Sequence, residues 1–199
     1  MAEEDTMAAG RVVIVTGAGQ GLGREHALAF GARGARVVVN DIGDAASAVA
    51  AQIRATGGMA VASSGDVADW GYAQALVGTA VAEFGTLDAL VNNAGVNRDR
   101  MLVNMSEDEW DSVLRIDLKG HFAPMRHAVA YWRQCAKDGR QPAARIVNTS
   151  SGAGLMGSVG QGNYAAAKAG IAALTTVAAA EFARYGVTVN AIARRHARR

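Results

Sequence analysis

Tyr164 and Lys168 stand four residues apart in NYAAAK, and Ser151 lies thirteen residues before the tyrosine. On an α-helix, residues four apart share a face. An ammonium beside a phenol favours the phenolate, so Lys168 lowers the pKa of Tyr164. A tyrosine tuned in this way exchanges protons near neutral pH. A serine hydroxyl nearby can hold the oxygen whose proton is moving. The pattern is short, and a packed tyrosine followed by a solvated lysine would read the same, so the rest of the chain must decide.

The elements around the pair supply that decision. Residues 11–16 (RVVIVT) form a β-branched run with the character of a buried parallel strand. It leads into Gly17-Ala18-Gly19-Gln20-Gly21-Leu22-Gly23, then a helical stretch over 24–33 with Leu28, Ala29 and Phe30 as its apolar positions. Strand, glycine loop and helix are what a dinucleotide-binding turn requires. Glycines let the backbone approach a pyrophosphate, and the helix N-terminus offers N–H donors and a favourable dipole. The spacing of Gly17, Gly21 and Gly23 is TGxxxGxG and not GxGxxG. The next strand, 35–40, ends at Asp41, placed to accept from the adenosine ribose hydroxyls and to repel a 2′-phosphate. NAD is therefore the expected cofactor, ahead of NADP.

Further strands are expected at 59–63, 87–92, 145–149 and 187–192, and helices near 44–56, 69–84, 106–136 and 161–185. This alternation predicts an α/β fold, a doubly wound parallel sheet covered on both faces. One domain over 11–193 is expected, with flexible tails at 1–10 and 194–199. Half of the 199 residues are hydrophobic, enough for a substantial core. No apolar run is read as reaching transmembrane length, and the acidic start MAEEDTMAAG is no signal peptide, so no membrane is expected. The single cysteine, Cys135, can form no internal disulfide and fits a reducing cytoplasm. The histidines at 26, 121, 127 and 196 lack metal-ligand spacing and are read mostly as solvated helix positions, so no metal is expected. The formal charge of +2 depends on four arginines after Ala193. Without them 16 basic side chains face 18 acidic ones, a formal −2, so nucleic acid is not an expected partner.

Taken together, these segments resemble the short-chain dehydrogenase/reductase family, in its TGxxxGxG and YxxxK branch. The resemblance runs from Arg11 to Ala193 and adds three motifs: Asp66-Val67, Asn92-Asn93-Ala94-Gly95 and Asn148-Thr149-Ser150-Ser151. It implies a Rossmann-type sheet of order 3-2-1-4-5-6. It implies that Tyr164 is the acid or base, that Ser151 holds the substrate oxygen, and that Lys168 tunes Tyr164 and holds the nicotinamide ribose. The spacing to Tyr164 selects Ser151 over Ser150. Cofactor contacts are implied at Gly17, Gln20, Gly21, Leu22, Gly23, Asp41, Asp66, Val67, Asn93, Ala94, Gly95, Tyr164 and Lys168.

The chain departs from the family pattern twice. Asp117 stands where the family usually has an Asn that supports a water relay to the lysine; a charged residue there could pair with Lys168 or disturb the tyrosine's pKa. After Ala193 the chain reads Arg-Arg-His-Ala-Arg-Arg, where the family continues with Pro, a substrate loop and a seventh strand. The chain is about a fifth shorter than a usual family domain. A frameshift is the expected origin of the tail: codons CGG CGG CAC GCC CGG can encode Arg-Arg-His-Ala-Arg, and one C restored ahead of them gives Pro-Ala-Ala-Arg. Were the chain to end there, strand six would be a sheet edge and both NAD affinity and turnover would fall severely.

The segments at 38–41, 97–100 and 160–164 resemble the hydroxyacyl-CoA dehydrogenase part of peroxisomal-type multifunctional enzymes. The implied reaction is NAD-linked oxidation of a 3-hydroxyacyl-CoA or a steroid-like secondary alcohol. The alternatives are 3-oxoacyl carrier-protein reduction, which Asp41 disfavours, and an inactive truncated or frameshifted product. A nucleotide sensor would keep the glycine loop but would not need Ser151, Tyr164 and Lys168. The resemblance also implies a homodimer through the two long helices, or a homotetramer.

Overall fold

The computed structural model describes residues 8–194. Six parallel strands form one sheet of order β3-β2-β1-β4-β5-β6. They are β1 (Val12–Val15), β2 (Arg36–Asp41), β3 (Met59–Ser64), β4 (Ala89–Asn92), β5 (Ala144–Ser151) and β6 (Val187–Arg194). The crossovers are α1 (Gly21–Ala32), α2 (Ala45–Ala55), α3 (Trp70–Phe84), α4 (Glu107–Val113), α5 (Gly120–Lys137), α6 (Gly152–Met156) and α7 (Gly162–Phe182).

β1 is buried along its whole length, as a central parallel strand covered on both faces must be. One core layer packs Ile14, Leu76, Leu90, Met125, Trp132 and Ile146 between the sheet and helices α3 and α5. The other packs Val37, Val39, Val49 and Ile53 against α1 and α2. Each fully buried Val, Ile or Leu contributes about 1.5–3 kcal/mol. Trp132 is 1% exposed and satisfies its indole N–H on the Leu87 carbonyl at 2.7 Å.

The elements match the sequence reading closely, with informative differences. α1 faces the core through Gly23, Ala27 and Gly31, while Leu28 and Phe30 are only partly buried and Ala29 is exposed. A Cβ on Gly31 would meet Ile53 Cγ2 at 2.6 Å, so α1 and α2 approach closely where Gly31 has no side chain. The expected helix over 106–136 is interrupted, because Leu114–Lys119 winds as a π-helix. Such segments are uncommon and often mark functional sites. The short helix α6 lies in a stretch that carried no helical expectation. Residues 8–10, read as tail, make a turn in which the Gly10 N–H donates to the Gly34 carbonyl at 2.9 Å. Arg194, also read as tail, extends β6 beside Ser151. The remaining tail residues, 1–7 and 195–199 with His196, lie outside the described residues.

Two further expectations are corrected. Gly162–Tyr185 is long and apolar enough to cross a membrane by length and composition, because its apolar character is spread over small alanines. The same helix packs on β5 and β6 and buries Lys168. His121 and His127 are buried and not solvated, since both lie on the inward side of α5.

A polar thread crosses this apolar interior. Asn92 donates to Asn148 Oδ1 at 2.9 Å, Asn148 donates to Thr175 Oγ1 at 2.9 Å, and Thr175 donates to the Ile171 carbonyl at 2.7 Å. It links β4, β5 and α7 at the strand ends that carry the candidate site.

Candidate active site

Two neighbouring clefts lie at the C-terminal ends of the strands, where open α/β sheets place their ligands. The first, about 430 Å³, is lined by Gly17, Gln20, Asp41, Asp66, Val67, Asn93, Ala94 and Gly95 among others. The second, about 200 Å³, is lined by Leu22, Asn93, Gly95, Asp117, Thr149, Ser150, Tyr164 and Lys168 among others. Asn93 and Gly95 border both.

The glycine loop is held open by hydrogen bonds. Thr16 Oγ1 accepts the backbone N–H groups of Asn93 and Ala94 at 3.0 and 3.1 Å. Asn93 Nδ2 donates to the carbonyls of Thr16 and Gly17, both at 3.1 Å. Gly17 and Gly21 take φ of +60° and +55°, which side chains rarely tolerate. A Cβ on Gly17 would stand 2.6 Å from Ala94 Cα. These contacts leave a bare backbone cradle leading into the N-terminus of α1, a fit for a dinucleotide pyrophosphate. Gly21 and Gly23 line neither cleft and shape the loop from within.

Asp41 ends β2 at the rim. Its Oδ2 accepts the Gly19 N–H at 2.6 Å and its Oδ1 the Ile42 N–H at 2.7 Å. The carboxylate is thus fixed in direction, with lone pairs left for ribose hydroxyls. Asp66 accepts the Ala68 N–H at 2.8 Å and pairs with Arg115 of the π segment. Burial raises the Asp66 pKa, but Arg115 and the Ala68 N–H outweigh it and the net shift is downward.

Lys168 is 2% exposed, and its Nζ donates to the Thr149 carbonyl at 2.9 Å. The ammonium lies 5.4 Å from the centre of the Tyr164 ring. Ser150 donates its hydroxyl proton to the Lys168 carbonyl at 2.9 Å. Ser151 caps α6 by accepting the Ala153 N–H at 3.2 Å, so its own proton is not committed by that bond. Ser150 lines the cleft while Ser151 does not, yet Ser151 has the hydroxyl suited to donate to an incoming oxygen.

Asp117, fully buried on the π segment, sits 3.2 Å from Lys168 Nζ through Oδ2, as an ion pair without hydrogen-bond alignment. Its Oδ1 accepts the Val96 N–H at 2.7 Å. Burial pushes the Asp117 carboxyl up, with Lys168 and Val96 pulling against it. Burial pushes Lys168 down, with Asp117 pulling against it.

The sequence reading missed Asn163. Its Nδ2 donates to the Arg98 carbonyl at 3.1 Å and the Glu109 carbonyl at 2.9 Å, and its Oδ1 accepts the Tyr164 N–H at 2.8 Å. It thereby anchors the start of α7. Its adjacency to Tyr164 was the available signal. Nothing local marked Arg115, which reaches Asp66 across 49 residues of chain.

The chain matches the short chain dehydrogenase family over residues 11–195 and belongs to it. It is 53% identical over 191 residues to the hydroxyacyl-CoA dehydrogenase ChsB1 of Mycobacterium tuberculosis, covering 92% of this chain and 60% of that protein. It is 45% identical over 193 residues to the peroxisomal multifunctional enzyme type 2 of Drosophila melanogaster, covering 92% of this chain and 31% of that protein. A 3-oxoacyl-[acyl-carrier-protein] reductase of Synechocystis is 43% identical over 185 residues, covering 92% and 72%. A crystal structure of a short chain dehydrogenase from Mycobacterium avium superposes with a TM-score of 0.94 at 62% identity, covering 96% of this chain and 70% of that one.

Proposed function

We propose that this chain carries the cofactor-binding and proton-transfer machinery of an NAD-dependent oxidoreductase acting on a secondary alcohol, with a 3-hydroxyacyl-CoA or a steroid-like alcohol as substrate. The observation that carries this reading is one cleft lined by both Tyr164 and Lys168 beside a glycine cradle that ends at Asp41. A nicotinamide dinucleotide held in this cradle would supply the hydride acceptor for alcohol oxidation and the donor for ketone reduction. Tyr164 takes the hydroxyl proton through its phenolic oxygen, and gives a proton back when a ketone is reduced. Ser151 donates to the substrate oxygen and fixes its position. Lys168 supplies the positive charge that makes the phenolate accessible. Gly17, Gln20, Gly21 and Gly23 shape the pyrophosphate site, with Leu22 at its inner rim. Asp41 binds the adenosine ribose, Asp66 and Val67 border the adenine, and Asn93, Ala94 and Gly95 border the nicotinamide side.

Asp41 supports NAD over NADP, because a fixed carboxylate repels a 2′-phosphate. That weighs against an NADPH-linked 3-oxoacyl carrier-protein reductase, the second reading, which the reductase relative keeps in view. A groove of about 620 Å³ between α5 and α7, lined by Phe122, Met125, Leu174 and Val177, supports a homodimer through these helices. Sedimentation of the purified chain tests that pairing. Assays with NAD⁺ and 3-hydroxyacyl-CoA, set against NADPH and a 3-oxoacyl carrier protein, test the reaction. Turnover only in the second pair overturns the first reading, and turnover in neither overturns both.

A further inference from the structure

We propose that Asp117 is a positioning residue whose buried charge offsets that of Lys168 and so sets the pH range over which Tyr164 exchanges its proton. The proposal rests on the proton-transfer role given to Tyr164 above.

The geometry is a line of three groups on one cleft: the Tyr164 ring, Lys168 Nζ 5.4 Å from its centre, and Asp117 Oδ2 3.2 Å from that nitrogen. The Lys168 and Asp117 side chains are 3% and 0% exposed, so water screens the pair little. Two features hold the carboxylate where it is. The Val96 N–H fixes Oδ1, and a Cβ on Gly95 would stand 2.9 Å from Oδ2, so only a glycine there leaves the carboxylate its place. The π winding of Leu114–Lys119 carries this aspartate.

Among the described residues lining this cleft, Asp117 and Lys168 are the charged ones, while Glu109 of α4, packed near the start of α7, is paired with Arg100. From α5, His121 faces the pair, fully buried; burial and the nearby Lys168 hold its pKa well below the ordinary value, so the imidazole stays neutral. From β5, Thr149 presents a backbone carbonyl to Lys168. Arg115 and Lys119, on the same π segment, act on Asp66 instead. Lys168 and Asp117 are thus the charged pair that the cleft sets beside the Tyr164 ring. With Asp117 ionised, the lysine stabilises the phenolate less than a lone ammonium would. The phenol then gives up its proton at higher pH, and the lysine keeps its own proton to higher pH as well. Both effects place the working range toward alkaline pH.

The test needs neither turnover nor cofactor. Tyrosinate formation is followed by ultraviolet difference titration of the chain without cofactor. Each protein is referenced to its own Tyr164→Phe variant, which isolates the one phenol. Asp117→Asn, equal in shape and uncharged, is expected to lower the Tyr164 midpoint by about one pH unit. A midpoint unchanged or raised overturns the proposal, whatever the variant does to overall rate. Asp117→Ser provides a second variant should the amide fold poorly. In the unmutated protein, carbon-13 NMR of labelled aspartates is expected to show Asp117 ionised where Tyr164 titrates. A carboxyl still protonated there overturns the proposal without any variant. Loss of the dehydrogenase reading would appear separately, as absent turnover with an intact titration shift.

Discussion

The α-carbon of Gly23 packs directly on Gly17, so closely that a Cβ there would stand 2.1 Å from the Gly17 carbonyl oxygen. Gly23→Ala must therefore displace the loop. Overpacking of this kind costs about 1–3 kcal/mol. The expected outcome is a lower melting temperature with NAD⁺ binding lost by calorimetry, while circular dichroism retains the α/β signature. Unimpaired NAD⁺ binding would show that the loop is not the cofactor cradle.

Tyr164→Phe removes only the hydroxyl. General acid–base catalysis contributes about 10²- to 10⁴-fold, so turnover is expected to fall by that factor with NAD⁺ affinity nearly unchanged. Steady-state kinetics alongside fluorescence binding separate the two. A nucleotide sensor would instead keep its binding and its output.

Asp41→Ala is expected to weaken NAD⁺ binding by about ten- to a hundredfold, the worth of one or two hydrogen bonds to a charged group. NADP⁺ binding is expected to suffer less or to improve. Paired titrations with the two dinucleotides read the ratio directly, and an unchanged ratio removes Asp41 as the discriminator.

Much of this site was legible in advance, for identifiable reasons. Strand and loop positions follow from periodicity and glycine placement, both local properties of the chain, whereas the strand order was implied by the family resemblance and is the one the sheet shows. Tyr164 and Lys168 were found because helical spacing brings them together. Arg115 and Asn163 were missed because their partners lie far away in sequence, at Asp66 for one and at Arg98 and Glu109 for the other. The π winding at 114–119 was invisible because its pattern reads as one continuous helix. His121 and His127 were misplaced because a polar side chain on a long helix carries no mark of the face it occupies.

Asn163→Ala removes two donors and one acceptor from a buried junction. Losing its bonds to the Arg98 and Glu109 carbonyls costs about 0.5–1.5 kcal/mol each, the Glu109 carbonyl keeping its Ser112 hydroxyl donor at 3.3 Å. The expected result is a lower unfolding midpoint in urea and a fall in kcat larger than any rise in KM. Asn163→Asp, which keeps the acceptor for the Tyr164 N–H, is expected to recover part of the kcat.

Glu109 joins the α4 N-terminus to Arg100, and that ion pair holds its carboxyl down to about 2 from an ordinary 4.5. A depressed carboxylate contributes stability that is whole above its unfolded pKa and is lost as pH falls toward the folded one. Urea midpoints measured from pH 6 to pH 3 are expected to fall less steeply for Glu109→Gln than for the unmutated chain. Parallel slopes would mean that this pair adds nothing to folding.

The thread from Asn92 through Asn148 to Thr175 has a kinetic meaning beyond its place in the fold. Its members come from three elements far apart in the chain, and each amide is stranded in hydrocarbon until the next arrives. A half-assembled intermediate in which β4 and β5 pair without α7 leaves the Asn148 amide without its Thr175 partner. Strand pairing and helix docking therefore fall within one cooperative event. Hydrogen exchange should find the amides of β4, β5 and the middle of α7 opening together, at the free energy of global unfolding.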